Sequence, residues 1–167
     1  VVQGFPDAWH SAKDIKLLYG MEGYFINNLD DRIPVHGTQE AAFSDEYVAF
    51  DIETTGLRVK HEAITEIGAV VIRDGEITDR FQTFVDPERH LTPEIIALTG
   101  ITEQMLQGAP KEDQALRDFL DFAGNRPLVA HNAEFDIGFI RAGCRRAGLE
   151  FDPTYVDTLI LAQNLLS

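Results

Sequence analysis

Two carboxylates stand two residues apart in Asp51-Ile52-Glu53, at the end of the apolar run Val48-Ala49-Phe50. A β-strand alternates its side chains, so Asp51 and Glu53 leave the same face. Like charges side by side repel, and the motif holds no basic residue to relieve them. A divalent cation would relieve them. Hard ions such as Mg²⁺ take oxygen ligands, use few protein groups and leave positions for substrate phosphates. On its own the pair also reads as a solvated face at a sheet edge. Three further features favour the cation. Thr54-Thr55-Gly56 reads as a tight turn that presents backbone N–H groups beside the carboxylates. Leu57 places an apolar side chain just after that turn. Far downstream, His131-Asn132-Ala133-Glu134-Phe135-Asp136 comes after a second short apolar strand and adds another carboxylate.

Taken together, D-I-E-T-T-G-L (51–57) and H-N-A-E-F-D (131–136) resemble the first two motifs of the DEDD family of 3′–5′ exonucleases, proofreading nucleases of the ribonuclease H-like fold. The resemblance runs from about Tyr47 to the C-terminus and takes in I-T-E-I-G-A-V (64–70) and A-L-T-G-I-T (97–102). It implies two divalent cations (Mg²⁺ or Mn²⁺), a water nucleophile and stepwise release of nucleoside monophosphates from a 3′ end. Two such ions, about 3.5–4 Å apart, clamp the attacking and leaving oxygens of an in-line displacement. Asp51 would bridge both ions, Glu53 would hold the ion that activates water, and Asp136 would complete the shell of the other.

The same resemblance implies that Thr54, Thr55 and Gly56 meet the terminal 3′-hydroxyl and base through backbone and hydroxyl groups. Leu57 would press on the terminal base, a contact that tolerates any sequence; the other reading of Leu57 is a core residue. Glu66 reads as a supporting or sugar contact, or as a surface glutamate at a strand start. Asn132 would orient the loop before Asp136. His131 reads as structural or as a minor substrate contact. The family's catalytic histidine and fourth carboxylate belong to a third motif, H-x-A-x-x-D, which these 167 residues lack; Asp157, in D-T-L, does not match it. The sequence is therefore expected to be part of a longer chain, cut within the helix before that motif. T-T-G and H-N-A-x-F-D favour the histidine subclass of the family.

Residues 1–45 differ in character from residues 46–167. V-V-Q-G-F-P-D-A (1–8) and Y-G-M-E-G-Y-F (19–25) resemble part of a polymerase-and-histidinol-phosphatase (PHP) domain. Glu22 matches a position that can be a metal ligand there, or is a surface glutamate. A PHP piece joined directly to an exonuclease domain (46–167) is similar to the arrangement of PolC-type alpha subunits of bacterial DNA polymerase III. That likeness implies a single-stranded DNA 3′ end as substrate, the rest of a polymerase chain and replisome subunits as partners, proofreading during replication, and a cytoplasmic place. Two alternatives stand beside it. One is a free-standing proofreading subunit; the other is a catalytically incomplete, nuclease-like binding module.

Composition sets outer bounds. At 44% hydrophobic and 25% charged, 167 residues make one domain or slightly more, with a sizeable core. One cysteine, Cys144, rules out an internal disulfide framework and reads as a buried small apolar residue on a helix. No run of about 18 apolar residues exists, so no membrane span is expected. The net charge of −14 opposes broad binding to a phosphate backbone. Arg141, Arg145 and Arg146 form a small basic group that reads as solvated surface.

The elements that must position the carboxylates are legible from periodicity and punctuation. Phe5 to Lys13 reads as a helix, Ile15 to Tyr19 as a strand, Asn27 to Asp31 as a turn and His36 to Ser44 as a linker. Tyr47–Glu53, Ile64–Arg73 and Glu76–Val85 read as strands, the last two joined by the hairpin signal Asp74-Gly75. Thr92-Pro93-Glu94 opens a helix that Gly100 closes. Thr102 is expected to cap another short helix. Pro110–Ala123 reads as a longer helix with Leu116, Phe119, Leu120 and Ala123 on one face. Pro127–His131, Glu134–Ala147, Tyr155–Asp157 and Thr158–Leu166 read as strand, helix, strand and helix. The expected fold is α/β: a ribonuclease H-like, mixed five-stranded sheet flanked by helices and truncated at its C-terminus.

Overall fold

The computed structural model of the chain describes residues 33–37 and 46–165. The expected elements in the first 31 residues, Glu22 and most of the PHP-like segment lie outside them.

The centre of the sheet is a meander. Strands β2 (Tyr47–Thr54), β3 (Ile64–Arg73) and β4 (Glu76–Phe84) pair antiparallel. Asp74 and Gly75 both carry positive φ, 52° and 81°, as a two-residue hairpin turn of this hand requires. On β2, Val48, Phe50, Ile52 and Thr54 are buried, while Ala49, Asp51 and Glu53 face the other way. A one-residue slip of register would therefore bury two carboxylates.

Beyond the meander come β5 (Leu128–Ala130), parallel to β2, and β6 (Tyr155–Asp157), parallel to β5. The described residues form six strands, ordered β1-β6-β5-β2-β3-β4, rather than the five expected. The extra one is β1 (Val35–His36), which pairs antiparallel with β6 and takes in His36, the first residue of the stretch read as a linker. His36 also stacks on Tyr155, with ring centroids 4.6 Å apart. Two residues carry no periodicity of their own; the strand exists because β6 offers it an edge.

Four helices accompany the sheet among the described residues: α1 (Pro93–Thr99), α2 (Glu112–Ala123), α3 (Ala133–Ala147) and α4 (Thr158–Leu165). The Thr92 hydroxyl accepts from Ile95 N–H to start α1, and Gly100 ends it with φ 75°. The helix expected after Thr102 is a run of turns instead. Thr102 does cap it, accepting from Met105, and one four-residue bond follows from Leu106 to Thr102, but the later bonds, Gln107 to Gln104 and Ala109 to Leu106, are three-residue closures, and Gly108 turns the chain at φ 79°.

The main core joins Phe50, Ile67 and Val71 of the sheet to Leu116 and Phe119 of α2 and Ile137, Phe139 and Ile140 of α3. Cys144 is buried there, and burial pushes its thiol up to about 11. The two helices approach closely at Gly143, where a Cβ would fall 2.6 Å from Leu116 Cδ1. Gly143→Val is therefore expected to lower stability by about 1–3 kcal/mol, through overpacking. The urea midpoint of the variant against the parent checks this; an unchanged midpoint contradicts it. On the same helix, Arg146 forms a two-pronged pair with Glu112 of α2, so this arginine is engaged at the surface.

Candidate metal centre

Strand β2 delivers Asp51 and Glu53 to one face, and β3 builds the floor beside them. Asp51 lies opposite Gly68, where even a Cβ would meet nothing within 4 Å. The space next to Asp51 is thus open. Glu53 lies directly opposite Glu66. Like charges so placed are destabilising in a sheet, and no basic residue separates them. Glu66 Oε1 accepts from Gln82 Nε2 at 2.7 Å, which holds one of its oxygens on β4. Glu66 therefore shares the face of Asp51 and Glu53.

The third carboxylate arrives from α3. The β2–β5 ladder ends at Ala49 and Val129, so Ile52 N–H has no strand partner on that side. Asp136 takes it: Oδ1 accepts from Ile52 N at 3.1 Å. The residue bonded by Asp136 is thus the one between Asp51 and Glu53. Asp136 is only 2% exposed. Burial first, then the charge of Asp51, pushes its carboxyl up to about 7; the Ile52 N–H works against that rise, and Asp157 adds to it. Glu53 is also raised, by burial, then by Asp51 and Glu66. These carboxylates feel one another and, among the described residues, no compensating cation.

The turn after β2 is a braced loop. Thr54 is buried and its hydroxyl donates to Gly56 O at 2.8 Å. Thr55 donates its hydroxyl to Glu62 at 2.7 Å and accepts from Ala63 N at 3.0 Å, while its own N–H bonds Ala63 O. Both hydroxyls expected at the substrate are spent on the loop; Thr54 in particular lies on the core face of β2. Gly56 sits against Glu62, whose side chain a Cβ would meet at 3.1 Å. Glu62 in turn pairs with Arg89 at 3.5 Å. Leu57 is 81% exposed, which removes the core reading of this residue.

Asn132 adopts the left-handed conformation (φ 59°, ψ 48°) and turns β5 into α3, with no side-chain cap bond. The His131 ring Nδ1 lies 3.1 Å from Thr158 Oγ1. That hydroxyl gives its proton to Ala130 O, so the imidazole donates from Nδ1 and is held by α4. Asp157, set aside in the sequence because it does not match the third motif, is the residue that reasoning from sequence misses. It is 3% exposed and accepts from the backbone at the starts of both α3 and α4. An aspartate just before Thr158-Leu159-Ile160 is a recognisable helix-start signal.

Among the described residues, no three His, Cys, Asp or Glu side chains close into a cage for one ion. Mg²⁺ does not need one: it is held by one or two carboxylates, with water and substrate phosphates filling the rest. The donor set fits it. The oxygens are hard and mutually repelling, the carboxyls of Glu53 and Asp136 are raised toward the protonated form, and the space beside Gly68 is open.

A family profile described as Exonuclease matches residues 48–167. The chain is 48% identical to a DNA polymerase III PolC-type from Clostridium perfringens and 43% identical to one from Bacillus subtilis. Each match covers 99% of this chain and only 11% or 12% of the relative, so the chain spans about an eighth of their length or less. Among solved structures, Exonuclease I (apo) superposes with a TM-score of 0.65 at 15% identity, over 74% of this chain and 31% of that one. Exonuclease X in complex with 5′ overhanging duplex DNA superposes at 0.53 with 31% identity, over 71% of this chain and 63% of that one.

Proposed function

Since the chain belongs to the exonuclease family, we propose that Asp51, Glu53 and Asp136 are the protein ligands of a divalent-cation centre that hydrolyses the last phosphodiester at a DNA 3′ end. The observation that carries this reading is the bond from Ile52 N–H to Asp136, which ties a helix carboxylate between two strand carboxylates. When bound, two Mg²⁺ or Mn²⁺ ions would supply Lewis-acid polarisation and an activated water.

The remaining work falls to the chain itself. Asp51 and Glu53 present oxygens from a rigid central strand, and Asp136 presents its own from the first turn of α3. Glu66, steadied by Gln82, adds negative potential beside Glu53. Thr54, Thr55 and Gly56 hold the loop whose backbone lines the approach. Leu57 meets the terminal base, and Asn132 sets the bend before Asp136. Leu57→Ala is expected to raise KM for a single-stranded end about tenfold, from lost apolar burial, with kcat changed less. Initial rates against DNA concentration check it; an unaltered KM contradicts it.

The setting is read from the relatives. Forty-eight per cent identity across 99% of the chain supports a place inside a PolC-type polymerase. There residues 1–45 form part of a PHP domain and 46–167 the exonuclease domain, of the histidine subclass. Its role is proofreading in the cytoplasm beside the other replisome subunits. No helix among the described residues is long and apolar enough to cross a membrane. The test uses the full-length protein on single-stranded DNA labelled at its 3′ end. Mononucleotide release that needs Mg²⁺ and stops with a chelator supports the reading. Binding of the end without cleavage makes this a binding module instead.

A further inference from the structure

Asp157 ends β6, paired with Ala130 of β5, and the proposed cation centre does not use it. A carboxylate buried to this degree is costly unless its oxygens are bonded. Here they are. Oδ1 accepts from Asn132 N at 3.2 Å, Leu159 N at 2.9 Å and Ile160 N at 3.3 Å; Oδ2 accepts from Ala133 N at 2.9 Å. These N–H groups open two different helices: Asn132 and Ala133 begin α3, Leu159 and Ile160 begin α4. Each helix start carries partial positive charge, which stabilises the anion. Asn132 makes no side-chain cap bond, so Asp157 is the side chain that satisfies the start of α3.

Asp136 lies one turn into that helix and reaches across to Ile52 N–H. Its position therefore depends on where α3 begins. We propose that Asp157 is a positioning residue. It clamps the starts of α3 and α4 through four backbone bonds, so fixing the approach of Asp136 to β2, and it is not a cation ligand. This rests on the reading of Asp136 as a ligand. Both Asp157 oxygens are already occupied by donors, which leaves the carboxylate little capacity for an ion.

The test compares wild type, Asp157→Ala and Asp157→Asn in the full-length protein. Hydrogen–deuterium exchange is followed in peptides covering 50–54, 131–136 and 157–161, alongside kcat, KM and melting temperature. In D157A, exchange at both helix starts and at the Ile52 amide is expected to accelerate about 10–100-fold, the loss of hydrogen bonds to a charged group. At temperatures where the variant is folded, kcat falls about tenfold or more while KM stays within about threefold. D157N recovers part of both, because its carbonyl oxygen still accepts from Leu159 and Ile160 while its NH₂ cannot accept from Ala133. If D157A does not fold, D157N carries the comparison.

Faster exchange at the helix starts with the Ile52 amide unchanged would overturn the proposal, leaving a local cap. So would a D157N as inactive as D51A with all exchange unaltered, the signature of a ligand. Wild type that fails to cleave DNA in Mg²⁺ would sink the nuclease reading alone. The exchange at Ile52 would still decide the clamp.

Discussion

Asp51→Ala is expected to lower Mg²⁺-dependent nucleotide release by about 10³-fold or more, the scale of several kcal/mol of lost charge stabilisation at the reacting phosphate. The fold should be untouched. Asp51 is exposed, faces Gly68 across the sheet, and makes no side-chain hydrogen bond, among the described residues, on which a neighbouring element depends. Its charge is among the influences that raise both Asp136 and Glu53, so removing it relieves repulsion rather than breaking a support. A melting temperature equal to or above that of the parent, together with the collapse of turnover, is the expected pair of results. Retained turnover would contradict the assignment. A collapse of both would show a structural role for Asp51 that the geometry does not suggest.

Stability of the cation-free protein should fall as pH rises from about 4 to about 7. The cause is Asp136, whose carboxyl is raised from 3.8 to about 7 by burial and by Asp51. Below the unfolded-state value both states are protonated and the fold keeps its full stability. Between the two values the folded state holds a proton that the unfolded chain has released, so each step up in pH favours unfolding. Above about 7 the loss is complete. The span of about three units sets an upper bound of about 4 kcal/mol. Glu53, raised as well, contributes with the same sign. Asp136→Asn keeps an oxygen for Ile52 N–H but removes the titration, so it should flatten the profile while abolishing activity. Saturating Mg²⁺ binds the ionised, folded form and should restore stability at neutral pH. Urea unfolding of this chain across that range, with chelator and then with Mg²⁺, measures all three. A flat chelator profile in the parent would contradict the raised carboxyl.

Much of this was legible where the determinants are local. Asp74-Gly75 set the hairpin because both central residues tolerate positive φ. Thr92-Pro93 and Gly100 bounded α1 through their own side chain and backbone. Alternation along Tyr47–Glu53 put Asp51 and Glu53 on the face away from Phe50 and Ile52, as found. What escaped depends on partners distant in sequence. Strand β1 is defined only by the edge of β6. The opposition of Glu53 and Glu66 depends on the length of the loop between them and on the register shift beside Thr54. The hydroxyls of Thr54 and Thr55 escaped for another reason: their acceptors, Gly56 O and Glu62, are near in sequence but lie in a loop whose course no periodicity fixes. Asp157 was legible as a cap for α4, but its bonds to the start of α3 go to backbone N–H groups far off in sequence, which leave no pattern to read.

The central claim is that Asp51, Glu53 and Asp136 share a divalent-cation centre, and Mn²⁺ located by anomalous diffraction tests it most directly. Crystals soaked in Mn²⁺ should show a peak bonded at about 2.1 Å to an Asp51 oxygen, with Glu53 or Asp136 completing the protein ligands. Mn²⁺ peaks elsewhere on the protein, with none against Asp51, would contradict it.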